Sequence, residues 1–202
     1  MRPRKYDKDE SLDCAISVFH RFGYRGATLN ALLRATDLGR GSLYYAFRGK
    51  HQLFLAALDR YRRTVVKPHL DRLEVGLSPK RNILELFERV TSHEDNGGVH
   101  LGSLITNAAI ELAPHDARVR TVVAEHFADI ESALLRAVER AQELGEVSPR
   151  NDAIKIARGL LGVLQGLLVL ARSGARGYSG RQTAEVVLDE GFPELCPENF
   201  LG

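Results

Sequence analysis

The residues best suited to recognition chemistry lie in one eight-residue segment, Arg40-Gly41-Ser42-Leu43-Tyr44-Tyr45-Ala46-Phe47. Leu43 and Phe47 stand at i and i+4, so on a helix they share the face that packs inward. Arg40, Ser42, Tyr44 and Tyr45 then point outward, and Gly41 lets a partner's backbone come close. An arginine in this setting bonds guanine at two atoms and a serine donates to base or phosphate. Phenolic hydroxyls reach phosphate oxygens. Thr28 and Lys50, each at the start of a neighbouring helix, suit the clamping of a phosphate backbone. Short amphipathic helices with basic residues also occur in proteins that never touch nucleic acid, so a plain solvated face is the alternative reading of the same types.

Charge points the same way. Residues 1–67 hold 14 Lys+Arg against 6 Asp+Glu, whereas residues 68–202 hold 14 against 20, all beneath a formal net charge of +2. A basic third joined to an acidic remainder implies that one part meets a polyanion and the other does something else. At 202 residues, 44% hydrophobic and 27% charged, the chain has ordinary globular composition and is long enough for a real core. Cys14 and Cys196 lie near opposite ends, which argues against a disulfide framework and for a reducing, cytoplasmic setting. Met1 is followed by charged residues with no apolar stretch, so no secretory signal is expected. The apolar run from Gly159 to Ala171 is too short for the roughly 20 residues of a spanning helix, and no membrane partner is expected.

The elements that must position these residues all read as helices. No convincing period-2 strand is found, and the expected fold class is all-α. A first helix spans Asp7 to Phe22, with Leu12, Ala15, Ile16, Phe19 and Phe22 on its inner stripe and Gly23 as its stop. Thr28 caps a short second helix that ends near Ala35, and Arg40 to Phe47 form the third. Three short helices with a tight turn between the last two have helix-turn-helix proportions. A longer helix starts at Lys50, buries Leu53, Phe54, Ala57, Leu58, Tyr61 and Val65, and is kinked or ended by Pro68. Ser78-Pro79 opens a further helix, Asn96-Gly97-Gly98 marks a loop, and Leu101 to Leu112 form another helix. Two long helices follow, one from Val119 to Leu144 and a nearly all-apolar one from Asp152 to Arg172, before a last short one at Arg181–Glu190.

The larger, later part carries candidates without a signature. Asn107 and Glu111 stand at i and i+4, placed either to orient a ligand jointly or to hydrogen-bond each other at the surface. His126 beside Phe127 reads as a core histidine or as the polar anchor of a pocket. Phe87, Leu104 and Phe127 would line such a cavity, or are ordinary core. His93, His100, His115 and His126 lack the spacing of metal ligands, and neither metal nor cofactor is expected. No catalytic triad, phosphate loop or metal motif supports an enzyme. Gly159, Gly162 and Gly166 recur along one side of the most apolar helix. They either weaken that helix or allow the close approach of a second copy of the chain, with Asp152–Arg172 and Arg181–Glu190 forming a two-fold seam.

Residues from about Lys5 to Leu58 resemble the DNA-binding domain of the tetracycline-repressor (TetR) family. The resemblance rests on Ala15 through Phe22, on Gly23-Tyr24-Arg25-Gly26-Ala27-Thr28, and on Gly41-Ser42-Leu43-Tyr44-Tyr45-Ala46-Phe47-Arg48-Gly49-Lys50. Asp37 and Gly39 depart from it, standing where Gly and a Ser or Thr cap are usual. Gly102-Ser103-Leu104 and Glu111-Leu112-Ala113-Pro114-His115-Asp116 also look like a subgroup that includes electrophile-sensing repressors. Ser103 replaces the cysteine of those sensors and cannot act as a thiolate.

The family resemblance implies a helix-turn-helix domain over residues 1–49 and a helical effector-binding and dimerisation domain over 50–202. It implies a homodimer reading a palindromic double-stranded DNA operator, and a small molecule that releases it. Thr28, Arg40, Gly41, Ser42, Tyr44, Tyr45 and Lys50 are the DNA-contact candidates. Phe87, Leu104, Asn107, Glu111, His126 and Phe127 are the effector candidates. An activator of the same fold, or a ligand-binding helical protein without DNA activity, is the alternative function.

Overall fold

Capping and periodicity account for most of the local structure. The computed structural model describes residues 7–92 and 100–190; His93, the Asn96-Gly97-Gly98 turn and Cys196 lie outside the described residues. Helix α1 covers Lys8–Gly26, α2 Leu29–Thr36, α3 Arg40–Phe47 and α4 Lys50–Tyr61. Beyond them come α5 (Lys67–Asp71), α6 (Pro79–Ser92), α7 (Leu104–Glu111), α8 (Ala117–Glu143), α9 (Ala153–Arg172) and α10 (Gly180–Glu190), and no strand occurs among the described residues.

Helix α1 starts at the Asp7 carboxylate, which accepts from the amides of Asp9 at 2.9 Å and Glu10 at 3.3 Å. Its regular part is broken at Gly23, whose φ of 69° lies in the left-handed region, and a single turn then continues to Gly26. Leu12, Ala15 and Phe19 are buried as the stripe requires, but Phe22 is 53% exposed. The break begins at the very next residue, so Phe22 lies at the end of the regular stripe, and the Arg21 guanidinium lies 5.8 Å from its ring. Helix α7 begins three residues later than expected. Gly102, at φ 70°, is not helical, and Ser103 caps the helix by accepting from the Thr106 amide at 3.4 Å.

Pro68 neither ends nor sharply interrupts its helix. Between α4 and α5 the chain makes a π-helical turn, Arg62–Val66, in which the Lys67 amide donates to the Arg62 carbonyl five residues back. A wider turn just ahead of a proline relieves both of its problems, the missing amide and the ring's collision with the preceding carbonyl. The same widening turns Val65 outward, to 38% exposure, where an uninterrupted α-helix would have faced it inward.

Packing divides the chain into two compact units. The first contains α1 to α4, the chain as far as Pro68, α7, and α8 up to His126. Its centre is an aromatic cluster: Phe19 meets Phe54 edge-on at 4.9 Å, and Phe54 meets Tyr24 at 5.0 Å. Arg60 of α4 binds Asp13 of α1 through two bonds of 2.6 Å and reaches Asp9 at 2.9 Å, which pins the two helices together. That guanidinium holds the Asp13 carboxyl below its ordinary value. The second unit contains the chain from His69 through α6, α8 from Phe127, α9 and α10.

The core of the second unit is aliphatic apart from Phe87. Ile83, Phe87, Leu134, Val138, Leu160, Leu164 and Leu188 are among its buried members. By length and composition alone α9 is long and apolar enough to cross a membrane, since the helix is longer than the uninterrupted apolar run. One side of it is core, through Ile156, Ala157, Leu160, Leu164, Leu167 and Leu168. At Gly180 α10 packs closely on α6: a Cβ there would lie 2.6 Å from the Phe87 carbonyl oxygen and against the Thr91 hydroxyl. Gly180→Ala is therefore expected to destabilise the protein by about 1–3 kcal/mol through overpacking. A lowered urea midpoint at unchanged slope would register it.

Candidate nucleic-acid interface

Five of the seven DNA-contact candidates lie on the exposed part of α3. Leu43 is fully buried and Phe47 nearly so, which anchors the helix by the i, i+4 pair read from the sequence. The opposite side is open: Tyr45 is 93% exposed and Tyr44 50%, and Arg40, Gly41 and Ser42 are exposed beside them. Nothing lies within 4 Å of a Cβ built on Gly41, so a backbone or sugar can approach that point directly.

The turn leading into α3 is set by Asp37 in the left-handed region, at φ 52°, a conformation that Asp tolerates better than most residues. Gly39 then caps α3 with no side-chain bond. Arg48, at φ 57°, ends α3 by donating its amide to the Tyr44 carbonyl at 2.9 Å. Thr28 is exposed and caps α2, its hydroxyl accepting from the Ala31 amide at 3.1 Å.

Lys50 is placed differently from a plain solvent-facing clamp. Its ammonium sits 4.4 Å from the centroid of the Tyr24 ring. Burial there lowers its pKa, and the nearby Glu111 carboxylate opposes the shift. The same burial, with the Asp116 and Glu111 charges, raises the Tyr24 phenol.

Glu111 explains that corner. Its two oxygens accept the consecutive backbone amides of Tyr24 at 2.8 Å and Arg25 at 2.7 Å. Those amides converge because Gly23 is left-handed, and a Cβ on Gly23 would fall 2.7 Å from Glu111 Oε2. Two successive amides after such a turn form an anion-binding nest. A glycine-forced break followed by non-proline residues was a legible sign of that nest, but not of which carboxylate fills it. Beside it, His51 Nε2 meets Asp116 Oδ2 at 2.6 Å, a pair the sequence reading did not single out. Asp116 also caps α8, accepting from Arg118 and Val119 amides at 3.0 and 3.1 Å. The Val119 bond first, and His51 after it, hold the Asp116 carboxyl below its usual value.

The six effector candidates do not share one unit. Leu104, Asn107, Glu111 and His126 belong to the first, and Phe87 and Phe127 to the second. Asn107 and Glu111 do not pair with each other: the Asn107 amide donates to the Leu101 carbonyl at 3.1 Å, and Glu111 holds the α1 nest. Leu104 and His126 are buried in the first unit. Phe87 is fully buried in the second, and Phe127 packs against the same core. Ser103 is a buried cap that also hydrogen-bonds the Tyr61 phenol, which burial pushes above its ordinary pKa.

Comparison with known proteins extends this geometry to the whole chain. Residues 12–57 match the family described as bacterial regulatory proteins, tetR family, and residues 79–180 match the tetracyclin repressor-like C-terminal domain. The HTH-type transcriptional repressor ComR of Escherichia coli K12 is 28% identical over 195 residues, 96% of this chain and 92% of its own. YezE of Bacillus subtilis 168, an uncharacterized HTH-type transcriptional regulator, is 30% identical over 160 residues, 79% of this chain and 82% of its own. Among solved structures, a cysteine-substituted form of the TetR-family regulator CifR, complexed with 26-bp double-strand operator DNA, matches with a TM-score of 0.80. It is 27% identical, and the match covers 95% of this chain and 100% of CifR. The family is one of regulators and not of enzymes, and its members bind operator DNA. With the two family domains matched in order along it, this chain belongs to the TetR family and is a DNA-binding transcriptional regulator.

Proposed function

We propose that this regulator is a cytoplasmic homodimeric repressor that reads a palindromic operator and is released by a small-molecule effector. The observation that carries the DNA half of the reading is the division of α3 into the buried pair Leu43 and Phe47 and an exposed Arg40–Tyr45 face. In this reading residues 1–49 are the DNA-binding domain and 50–202 the effector-binding and dimerisation domain. Arg40, Gly41, Ser42 and Tyr44 face bases and their sugars, and Thr28, Tyr45 and Lys50 hold phosphates. Lys50 leaves the Tyr24 ring to do so, or acts from it.

Dimerisation through α9 and α10 is supported by the surface those helices leave uncovered. Gly162 and Gly166 have open space around them, Val169 is 41% exposed on α9, and Val186 is 53% exposed on α10. A helix carrying glycines and valine on its open side suits close two-fold packing. The effector candidates are Leu104, Asn107, Glu111 and His126 in the first unit and Phe87 and Phe127 in the second. A ligand reaching Asn107 or Glu111 has to displace their present hydrogen bonds, and it induces only if its affinities for the DNA-competent and released states differ.

Capture of genomic fragments at moderate salt, followed by footprinting of the best site, tests the reading. A short protected palindrome is expected. Arg40→Ala should relax base preference at one position, costing about 1–3 kcal/mol on the best site, whereas Lys50→Ala should weaken all duplexes alike and lower the salt slope by about 1. No enrichment over random DNA, from protein refolded to strip any co-purified ligand, would overturn the reading.

A further inference from the structure

An open cavity of 570 Å³ lies within the first unit, lined among others by Lys8 of α1, Phe47 of α3, Arg48, Gln52 of α4 and Arg118 of α8. Lys8, Arg48 and Arg118 bring three positive charges to it, and among the described residues none of the three carries an ion pair. Arg60, Arg62 and Arg63 of the same unit are paired by contrast: Arg60 holds Asp9 and Asp13, Arg62 holds Glu125, and Arg63 holds Asp59. An anion held in a pocket lined by three cationic residues is attracted to each of them. The Phe47 ring, with Lys8 5.9 Å from its centroid, gives the cavity an apolar wall that concentrates the field.

We propose that this cavity is a phosphate-binding site. Two guanidinium groups offer forked donors that match tetrahedral phosphate oxygens, the Lys8 ammonium adds a point charge, and the Gln52 amide adds a neutral donor. Arg48 directly follows α3, so the phosphate can be one of the DNA backbone beyond the recognition face. It can also be the phosphoryl group of a small metabolite. The DNA source rests on the proposed role of α3; the metabolite source does not. Arg118 is the informative member, because it belongs to α8 and to none of the helices proposed to read DNA.

The test uses the full chain, with Arg118→Gln and Lys8→Gln as variants and circular dichroism to confirm that each folds. The probes are a random-sequence 26-bp duplex across a salt series, and inorganic phosphate titrated calorimetrically at constant ionic strength. If the phosphate is that of DNA, each variant should bind the duplex roughly three- to tenfold more weakly, with a salt slope shallower by about 0.9. If it is that of a metabolite, the wild type should bind inorganic phosphate saturably, and both variants should lose that binding with the duplex slope unchanged. Either result supports the site and names its source. A wild type that binds the duplex, with neither variant altering the slope and no saturable phosphate binding, overturns the site and leaves the DNA reading standing. A wild type that fails to bind duplex at any salt overturns the DNA reading instead, and the phosphate titration alone then decides the site.

Discussion

Phe54→Ala is expected to destabilise the protein by roughly 3–5 kcal/mol, a large effect for one side chain, and to abolish tight DNA binding along with it. Phe54 is 1% exposed and touches both other rings of the cluster at the centre of the first unit, Phe19 at 4.9 Å and Tyr24 at 5.0 Å. Alanine removes the buried area and leaves a cavity whose walls belong to α1 and α4, two helices that the Arg60–Asp13 pair also joins. For a chain of this size the melting midpoint should fall by on the order of 10 °C. The loss reaches DNA because α2 packs on α1 and α3 contacts α4. A variant that melts within a degree or two of the wild type would show that the first unit is not organised around this ring.

Most of α3 is legible in residue types, because its signals are local. The Leu43 and Phe47 pair, the Thr28 cap and the boundaries of α3 depend on neighbours within four positions, and the structure reproduces them. Where the structure departs from the local pattern, the deciding partner is distant or the hydrogen-bond pattern changes. Glu111 stands one turn from Asn107, yet its partners are amides 86 and 87 residues away in sequence. Lys50 reads as a backbone clamp at a helix start, and the ring beside its ammonium belongs to Tyr24 of α1, a neighbour no local pattern announces. Val65 falls inward on a 3.6-residue period that the π turn before Pro68 does not keep. Periodicity carries no information about which tertiary partner will claim a polar side chain.

Glu111→Ala separates the two readings of that residue. If Glu111 is first a structural latch, its loss leaves the Tyr24 and Arg25 amides without their charged acceptor, and hydrogen bonds to charged groups contribute about 1.5–3 kcal/mol each. Partial exposure lets water replace some of that, so a net loss of roughly 2 kcal/mol is expected. Glu111→Gln should fall between, since one carboxamide oxygen can serve only one amide well. The specific signature is faster hydrogen exchange at Tyr24 and Arg25, with α9 and α10 unchanged. DNA affinity should drop as well, because the turn that Glu111 holds leads within three residues to Thr28 at the start of α2. A residue serving only an effector would give the opposite pattern: stability, exchange and basal DNA binding intact, and only the response to ligand altered. The direction of the first two measurements therefore decides whether α7 bears on DNA through its contact with α1.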